Sequence, residues 1–223
     1  MFPPAVIFDF DGVIVNTEPI HYQAFQTILK PLGLGYSWDA YQEIYMGYDD
    51  RDAFREAFSA GKRRLDDSQL RQYIEEKAVL FENIIASGVT PYPGVLELIK
   101  TLANHSVPIA ICSGALSSDI LPILQQLNIT SYFSTIITAE DVPQSKPHPA
   151  SYLQAKEKLI TANQHLHAVS HTIYAIEDTP AGIASAKNAD LRVVAVTNSY
   201  ASEKLVQADR IVKTLEELID GWQ

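Results

Sequence analysis

Five short apolar runs along the chain have the length and composition of buried β-strands, and between them apolar residues recur with helical spacing. The apolar runs cover residues 5–10, 107–112, 135–138, 172–177 and 192–196, and the helical patterns cover about 93–104, 117–127, 149–160, 179–189 and 214–221. Near-continuous apolar strands that alternate with helices are typical of a parallel sheet covered on both faces. The pattern therefore predicts an α/β fold.

One connection breaks this alternation. The 70 residues from 18 to 87 contain no convincing strand, but they include the helical patterns HYQAFQTILKPL, RDAFREAFSA and SQLRQYIEEKAVLFENII. A plain loop of this length is uncommon inside a compact domain. We therefore predict a helical cap domain at residues 18–87, inserted into a core domain formed by residues 1–17 and 88–223. The junctions are expected near Thr17–Glu18 and near Ser87–Gly88.

Composition narrows the class of protein. Of the 223 residues, 47% are hydrophobic and 20% are charged, which excludes the disordered class. The chain has no apolar stretch of the roughly 18 to 20 residues that a membrane helix needs, and no secretory signal. The single cysteine, Cys112, agrees with a reducing compartment, so we expect a cytoplasmic protein. The net charge of −10 argues against nucleic-acid and membrane partners.

Polar residues follow four of the predicted strands. The stretches are DFDG after the first strand, CSG at the end of the second, AEDVPQSKP after the third and IEDTPAG at the end of the fourth. The carboxyl ends of parallel strands meet at one edge of the sheet, where open α/β sheets bind their ligands. This edge would bring together six candidate residues: Asp9, Asp11, Ser113, Lys146, Glu177 and Asp178.

Four carboxylates at one place need compensating positive charge. Mg²⁺ suits a site that offers a few carboxylates, water and substrate oxygens, and Lys146 adds an ammonium group. A phosphate ester is the natural ligand for such a set. Asp9 could then attack phosphorus and form an aspartyl-phosphate, while Asp11 protonates the departing oxygen and later accepts a proton from the attacking water or hydroxyl.

The four stretches resemble the motifs of the haloacid dehalogenase superfamily, in its aspartate-nucleophile phosphatase and phosphomutase branch with a helical cap. DFDGVIVNT is similar to the first motif, Ser113 to the second, Lys146 in SKP to the third and EDTPAG to the fourth. The resemblance implies a Rossmann-like core. It also implies Mg²⁺ bound by the side chains of Asp9 and Asp178 and by the Asp11 carbonyl, with Glu177 acting directly or through water. Because the dehalogenases lack the second aspartate, Asp11 favours phosphoryl transfer.

The predicted cap resembles that of the β-phosphoglucomutase group. The resemblance implies substrate binding by Thr17, His21, Arg51 and Lys77, and we also expect Gly12 and Gly114 to contribute. Three departures weaken the likeness to the mutases. The spacing from Gly47 to Arg51 is one residue longer than in the mutases, GALSS replaces a lysine and an asparagine after Ser113, and Asn16 replaces an aspartate.

Three of these residues also have a plainer interpretation. His21 could be a surface or hinge residue, and Arg51 could pair with a neighbouring aspartate. For Lys77, beside Glu75 and Glu76, a solvated helix face is the favoured interpretation, and a metal role for His165, His167 and His171 is disfavoured.

The leading hypothesis is a magnesium-dependent phosphohydrolase for a small phosphorylated metabolite. A β-phosphoglucomutase-like phosphomutase and a noncatalytic binding protein are the alternatives. The sequence leaves open the substrate, the oligomeric state and the isomer of the Lys146–Pro147 bond.

Overall fold

A six-stranded parallel sheet forms the centre of the computed structural model, which describes residues 2–46, 48–86 and 88–222. The strand order is β3-β2-β1-β4-β5-β6, and every neighbouring pair is parallel. The strands are β1 (Val6–Phe8), β2 (Ile109–Cys112), β3 (Phe133–Ile137), β4 (Tyr174–Glu177), β5 (Arg192–Val196) and β6 (Arg210–Val212). The predicted α/β fold with a parallel sheet is confirmed.

The sheet is buried on both faces, as β1 illustrates. Val6 and Phe8 pack into a cluster on one face with α5 (Val95–Asn104) and α6 (Ser117–Gln126). Ile7 points to the other face, towards α7 (Ala150–Ala162) and α8 (Pro180–Asn188). Burial of successive side chains explains why the strands are apolar without alternation.

The structure differs from the predicted elements in two places. β6 was not predicted, because a three-residue edge strand between polar residues has too short an apolar run to stand out. The helix expected over 214–221 is only a 3₁₀ turn at Leu215–Leu218. Other 3₁₀ segments cover Thr130–Tyr132, Gln164–Thr172 and Ser202–Lys204, and the second of these contains His165, His167 and His171.

Helices occupy the connection between β1 and α5. They are α1 (Glu18–Leu29), α2 (Trp38–Ala40), which continues as a π-helical turn at Tyr41–Tyr45, α3 (Asp50–Ala60) and α4 (Asp67–Ile85). We refer to residues 18–85 as the helical segment. It has its own apolar cluster, centred on Phe25, Leu29 and Phe54. The limits of a separate cap domain at 18–87 remain a prediction, and the junction residue Ser87 lies outside the described residues.

Local signals start the helices of this segment. Asp66 accepts hydrogen bonds from the backbone of Ser68 and Gln69 and forms a capping box with Gln69 at the start of α4. Asp49 caps α3 through the backbone N–H of Asp52. Within the described part of the chain, no helix is both long enough and apolar enough to cross a bilayer.

Candidate active site

Asp9 follows the central strand directly, and its carboxylate is buried at the carboxyl edge of the sheet. Its Oδ1 lies 2.8 Å from Nζ of Lys146 and accepts a hydrogen bond from the Phe10 backbone. Burial raises the pKa of Asp9 well above its usual range, the charge of Glu177 raises it further, and Lys146 opposes both effects. Negative charge at this point is therefore costly without a cation.

Three carboxylates converge here. Oxygen atoms of Asp9, Glu177 and Asp178 lie within 4.8 Å of one another. Burial, followed by repulsion from Asp9 and Glu177, raises the pKa of Asp178 well above its usual range. Asp178 Oδ2 accepts a hydrogen bond from Ser199, whereas its buried Oδ1 has no partner among the described residues. A buried, unpartnered carboxylate oxygen beside a second carboxylate fits a divalent cation.

Glu177 differs from the other two carboxylates because both of its oxygens are engaged. Oε1 accepts hydrogen bonds from Lys146 and from the Tyr152 hydroxyl, each at 2.7 Å. Oε2 accepts from the Asp178 backbone and from the Thr179 hydroxyl, each at 3.2 Å. Glu177 therefore orients Lys146 and the β4–α8 turn, and Asp9 and Asp178 are the better candidates for direct metal contact.

Two glycines allow the backbone to approach these carboxylates closely. Gly12 has φ of +77°, and a Cβ built there would lie 1.8 Å from Oδ2 of Asp178. A Cβ on Gly182, in the first turn of α8, would lie 2.0 Å from the Glu177 carboxylate. Both N–H and C=O of Gly12 are already bonded, to Val15 and Asn198. The structure thus gives Gly12 a packing role, and its contribution to substrate binding stays a prediction.

Lys146, in the connection between β3 and α7, reaches this cluster of carboxylates. Its ammonium group also donates to the Cys112 carbonyl at 3.1 Å and lies 4.9 Å from the centre of the Tyr152 ring. Burial opposes its charge, but the carboxylates of Asp9 and Glu177 raise its pKa well above the usual value. These two carboxylates therefore favour the charged ammonium form of Lys146. The Lys146–Pro147 bond is cis.

Asp11 is held from three sides. Thr17 donates to its Oδ1, Nε2 of His21 lies 3.2 Å from the same oxygen, and Ser113 Oγ lies 3.4 Å from Oδ2. Burial alone would raise the pKa of Asp11, but His21 and Thr17 lower it below the ordinary value. Burial also opposes charge on His21, yet Asp11 raises the pKa of the imidazole. His21 is buried and stacks on Phe81, with 4.4 Å between the ring centres, so its interpretation as a surface residue is wrong.

A small cavity of about 40 Å³ lies between the sheet edge and the helical segment. Of the residues predicted to form the site, Asp9, Asp11, His21, Gly114 and Lys146 line it. Thr17 and Ser113 lie behind this lining and contact Asp11.

Lys77 does not lie on a solvated helix face, and that interpretation is wrong. Its side chain is 0% exposed, with Nζ 2.9 Å from Asp50 and 3.3 Å from Asp119. In α4 it lies on the buried side of the helix with Leu70, seven residues earlier, and Phe81, four residues later. That spacing in the sequence signals burial, whereas the adjacent glutamates are not informative.

Arg51 lies outside the described lining of the cavity, and its expected contact with the substrate stays a prediction. Its guanidinium donates to Asp49 and reaches the backbone carbonyls of Ala139 and Val142 across the junction with the core, at 3.2 and 3.4 Å. The alternative prediction, that Arg51 pairs with a neighbouring aspartate, is confirmed. The position of Gly47, used to compare the spacing, lies outside the described residues.

Several residues of the site were not predicted. They are Glu18, Tyr41 and Asp50 of the helical segment, Asp119 of α6, Tyr152 of α7 and Ser199 after β5. Ser199 could have been found, because it follows the carboxyl end of the fifth predicted strand, on the same sheet edge. The others depend on how helices pack against the core, and the sequence contains no comparable signal for that.

The chain is similar to known proteins over nearly its whole length. The chain is 27% identical over 228 residues to the phosphorylated carbohydrates phosphatase of Thermotoga maritima, covering 96% of this chain and 99% of that protein. It is 26% identical over 229 residues to the β-phosphoglucomutase of Bacillus subtilis, covering 98% and 95%. The crystal structure of CbbY from Rhodobacter sphaeroides in complex with phosphate superposes with a TM-score of 0.84 at 21% identity, covering 97% and 96%. The family model described as haloacid dehalogenase-like hydrolase matches residues 6–196, and the chain belongs to this family.

Proposed function

We propose that the chain is a Mg²⁺-dependent phosphohydrolase that acts on a small phosphorylated metabolite through an aspartyl-phosphate at Asp9. The observation that carries this proposal is the position of Asp9. Its carboxylate lies at the base of a lined cavity, next to the buried ammonium of Lys146 and the unpartnered oxygen of Asp178.

Asp9 is suited to act as the nucleophile. Both of its described contacts end on Oδ1, which leaves Oδ2 without a partner among the described residues. In the proposed first step Oδ2 bonds to phosphorus, and the bond from phosphorus to the ester oxygen breaks. Lys146 would stabilise the charge that develops on the phosphoryl oxygens, because it is preorganised by Glu177.

Asp11 is suited to act as the general acid and general base. Because His21 and Thr17 lower the pKa of Asp11, it would first take up a proton as the dianionic phosphate ester binds, and would then give that proton to the departing ester oxygen. It would later accept a proton from the water that attacks the phosphoryl group and restores Asp9. Thr17 and His21 fix its orientation, and Ser113 lies between Asp11 and the second strand end.

Asp9 and Asp178 would hold Mg²⁺, and the resemblance to the superfamily adds the Asp11 carbonyl. A bound Mg²⁺ would neutralise the crowded carboxylates and polarise a phosphate oxygen. The donor set fits this hard cation because it consists of oxygen atoms alone.

A β-phosphoglucomutase-like activity is the second candidate, and the contacts of Thr17 and His21 with Asp11 favour it. A mutase must hold a bisphosphate in two orientations, which needs a second cationic site. Arg51 and Lys77, the two cations expected for this purpose, are paired with carboxylates and are absent from the described lining of the cavity. Hydrolysis is therefore the better-supported reaction.

A panel of phosphorylated metabolites tests the proposal, with inorganic phosphate measured in the presence of Mg²⁺ and again with excess EDTA. We expect Mg²⁺-dependent phosphate release from at least one compound. β-Glucose 1-phosphate with a trace of its bisphosphate separates the candidates, since a mutase yields glucose 6-phosphate. Failure to release or transfer phosphate from any compound would favour the noncatalytic binding alternative.

A further inference from the structure

The two walls of the cavity differ in their cations. The wall at the sheet edge carries Asp9 and Asp11 together with the ammonium group of Lys146. The opposite wall, contributed by the helical segment, contains Glu18, His21, Phe25, Tyr41, Tyr48 and Asp50 among the described residues. It therefore presents two carboxylates and four aromatic or imidazole rings, and its one titratable cation, His21, is paired with Asp11.

Asp50 has an unused acceptor. Its side chain is about nine-tenths buried, and its Oδ1 pairs with Lys77 at 2.9 Å. Its buried Oδ2 has no partner among the described residues, and Asp50 lines the cavity. A buried acceptor without a donor is unfavourable, so a hydroxyl or ammonium group of a ligand would stabilise it.

Glu18 makes the same wall unfavourable for anions. Its carboxylate is buried, lines the cavity and accepts a hydrogen bond from the Tyr41 hydroxyl. A second phosphate or a carboxylate on the substrate would face Glu18 and Asp50, and although Lys77 compensates part of the Asp50 charge, the described lining of this wall offers the anion no unpaired cation. The rings of Tyr41 and Phe25 instead suit the C–H surface of a polyol or an ammonium group.

We propose that the substrate is a phosphate monoester whose leaving group carries hydroxyl or amine donors and no second anionic group. The inference rests on the proposed function, because it assumes that the phosphate binds beside Asp9. It predicts discrimination against bisphosphates and phosphorylated carboxylic acids.

Four matched six-carbon compounds test the inference: glucose 6-phosphate, glucosamine 6-phosphate, 6-phosphogluconate and glucose 1,6-bisphosphate. Each is assayed as a substrate by phosphate release and as an inhibitor of Mg²⁺-dependent p-nitrophenyl phosphate hydrolysis. We expect glucose 6-phosphate and glucosamine 6-phosphate to have a kcat/KM, or an inhibitory potency, at least about tenfold higher than that of the two compounds with a second anionic group. Equal values, a preference for the anionic compounds or no inhibition by any of them would overturn the inference and leave the hydrolase intact. Absence of p-nitrophenyl phosphate hydrolysis would instead overturn the proposed function and the inference with it.

Variants then locate the discrimination. Asp50→Asn and Glu18→Gln each remove one negative charge from the wall and should reduce the preference by about threefold or more. Asp39→Asn removes an exposed charge from the same helical segment and should leave the preference unchanged. Two substitutions are used because Asp50→Asn also affects the pairing of Lys77, and circular dichroism identifies the folded variants. If a folded Glu18→Gln variant keeps the full preference, the wall does not select the substrate.

Discussion

Two buried lysines with carboxylate partners can be compared within this chain. Lys146 lies at the carboxyl edge of the sheet with Asp9 and Glu177, and Asp178 is close by. Lys77 lies between the helical segment and α6, with Asp50 and Asp119. Both ammonium groups are nearly or fully excluded from water, so burial alone does not distinguish their roles.

The difference lies in surroundings and charge balance. Around Lys146 two carboxylates pair with the ammonium, a third carboxylate, that of Asp178, lies beside them, and the lysine lines the cavity. Around Lys77 there are two carboxylates, and its ammonium lies 5.4 and 5.1 Å from the ring centres of Phe25 and Phe81, behind the described lining of the cavity. An excess of buried negative charge beside a cavity favours chemistry with a cation, whereas the closer balance at Lys77 favours a link between the helices and the core.

The largest expected effect is on Lys146. Lys146→Met should lower kcat about 10³-fold, because it removes the cation that faces both the nucleophile and the phosphoryl oxygens. Steady-state phosphate release measures the effect. Lys100→Met, on the exposed surface of α5, is the matched control and should retain activity. An active Lys146→Met variant would remove the distinction between the two lysines.

A substitution of Asp178 should sharpen the metal assignment. Asp178→Asn removes one of the two carboxylates available for direct contact and should raise the Mg²⁺ concentration for half-maximal activity at least about tenfold. Titration of activity with Mg²⁺ after treatment with EDTA measures this shift. An unchanged titration curve would mean that the cation binds elsewhere.

Lys77 should affect stability. Lys77→Met leaves Asp50 and Asp119 buried without their cation, and we expect the free energy of unfolding to fall by about 3 to 5 kcal/mol. Urea unfolding measures the loss. Adding Asp50→Asn and Asp119→Asn to this variant should recover part of it, because the unpaired charges are then gone. A loss below about 1 kcal/mol would contradict the linking role, since it is typical of an exposed pair.

The smallest effect is expected for an exposed ion pair in the same helical segment. Arg55 lies 3.8 Å from Asp67, and both side chains are more than half exposed. Arg55→Ala should change the free energy of unfolding by less than about 1 kcal/mol, because solvent screens the pair. A larger loss by urea unfolding would show that burial does not separate the strong pairs from the weak ones in this segment.

The contrast also explains how much the sequence could predict. Asp9 and Lys146 were predicted to meet because parallel strands place their carboxyl ends at one edge, whatever the details of packing. Asp50 and Asp119 meet Lys77 only through the packing of α3 and α4 against α6, which no local pattern encodes. β6 is too short to stand out in the sequence, and the burial of Lys77 is indicated by its helical neighbours Leu70 and Phe81 and not by the adjacent glutamates.

The central claim is that Asp9 takes the phosphoryl group, and one measurement tests it most directly. The enzyme is mixed with Mg²⁺ and a phosphate ester that it hydrolyses, and the reaction is quenched in acid within the first turnovers. The protein is then digested and analysed by mass spectrometry. We predict a phosphoryl group on Asp9 that hydroxylamine removes, and neither this modification nor turnover in a folded Asp9→Asn variant. Phosphate release by that variant at the rate of the unmodified enzyme would contradict the account.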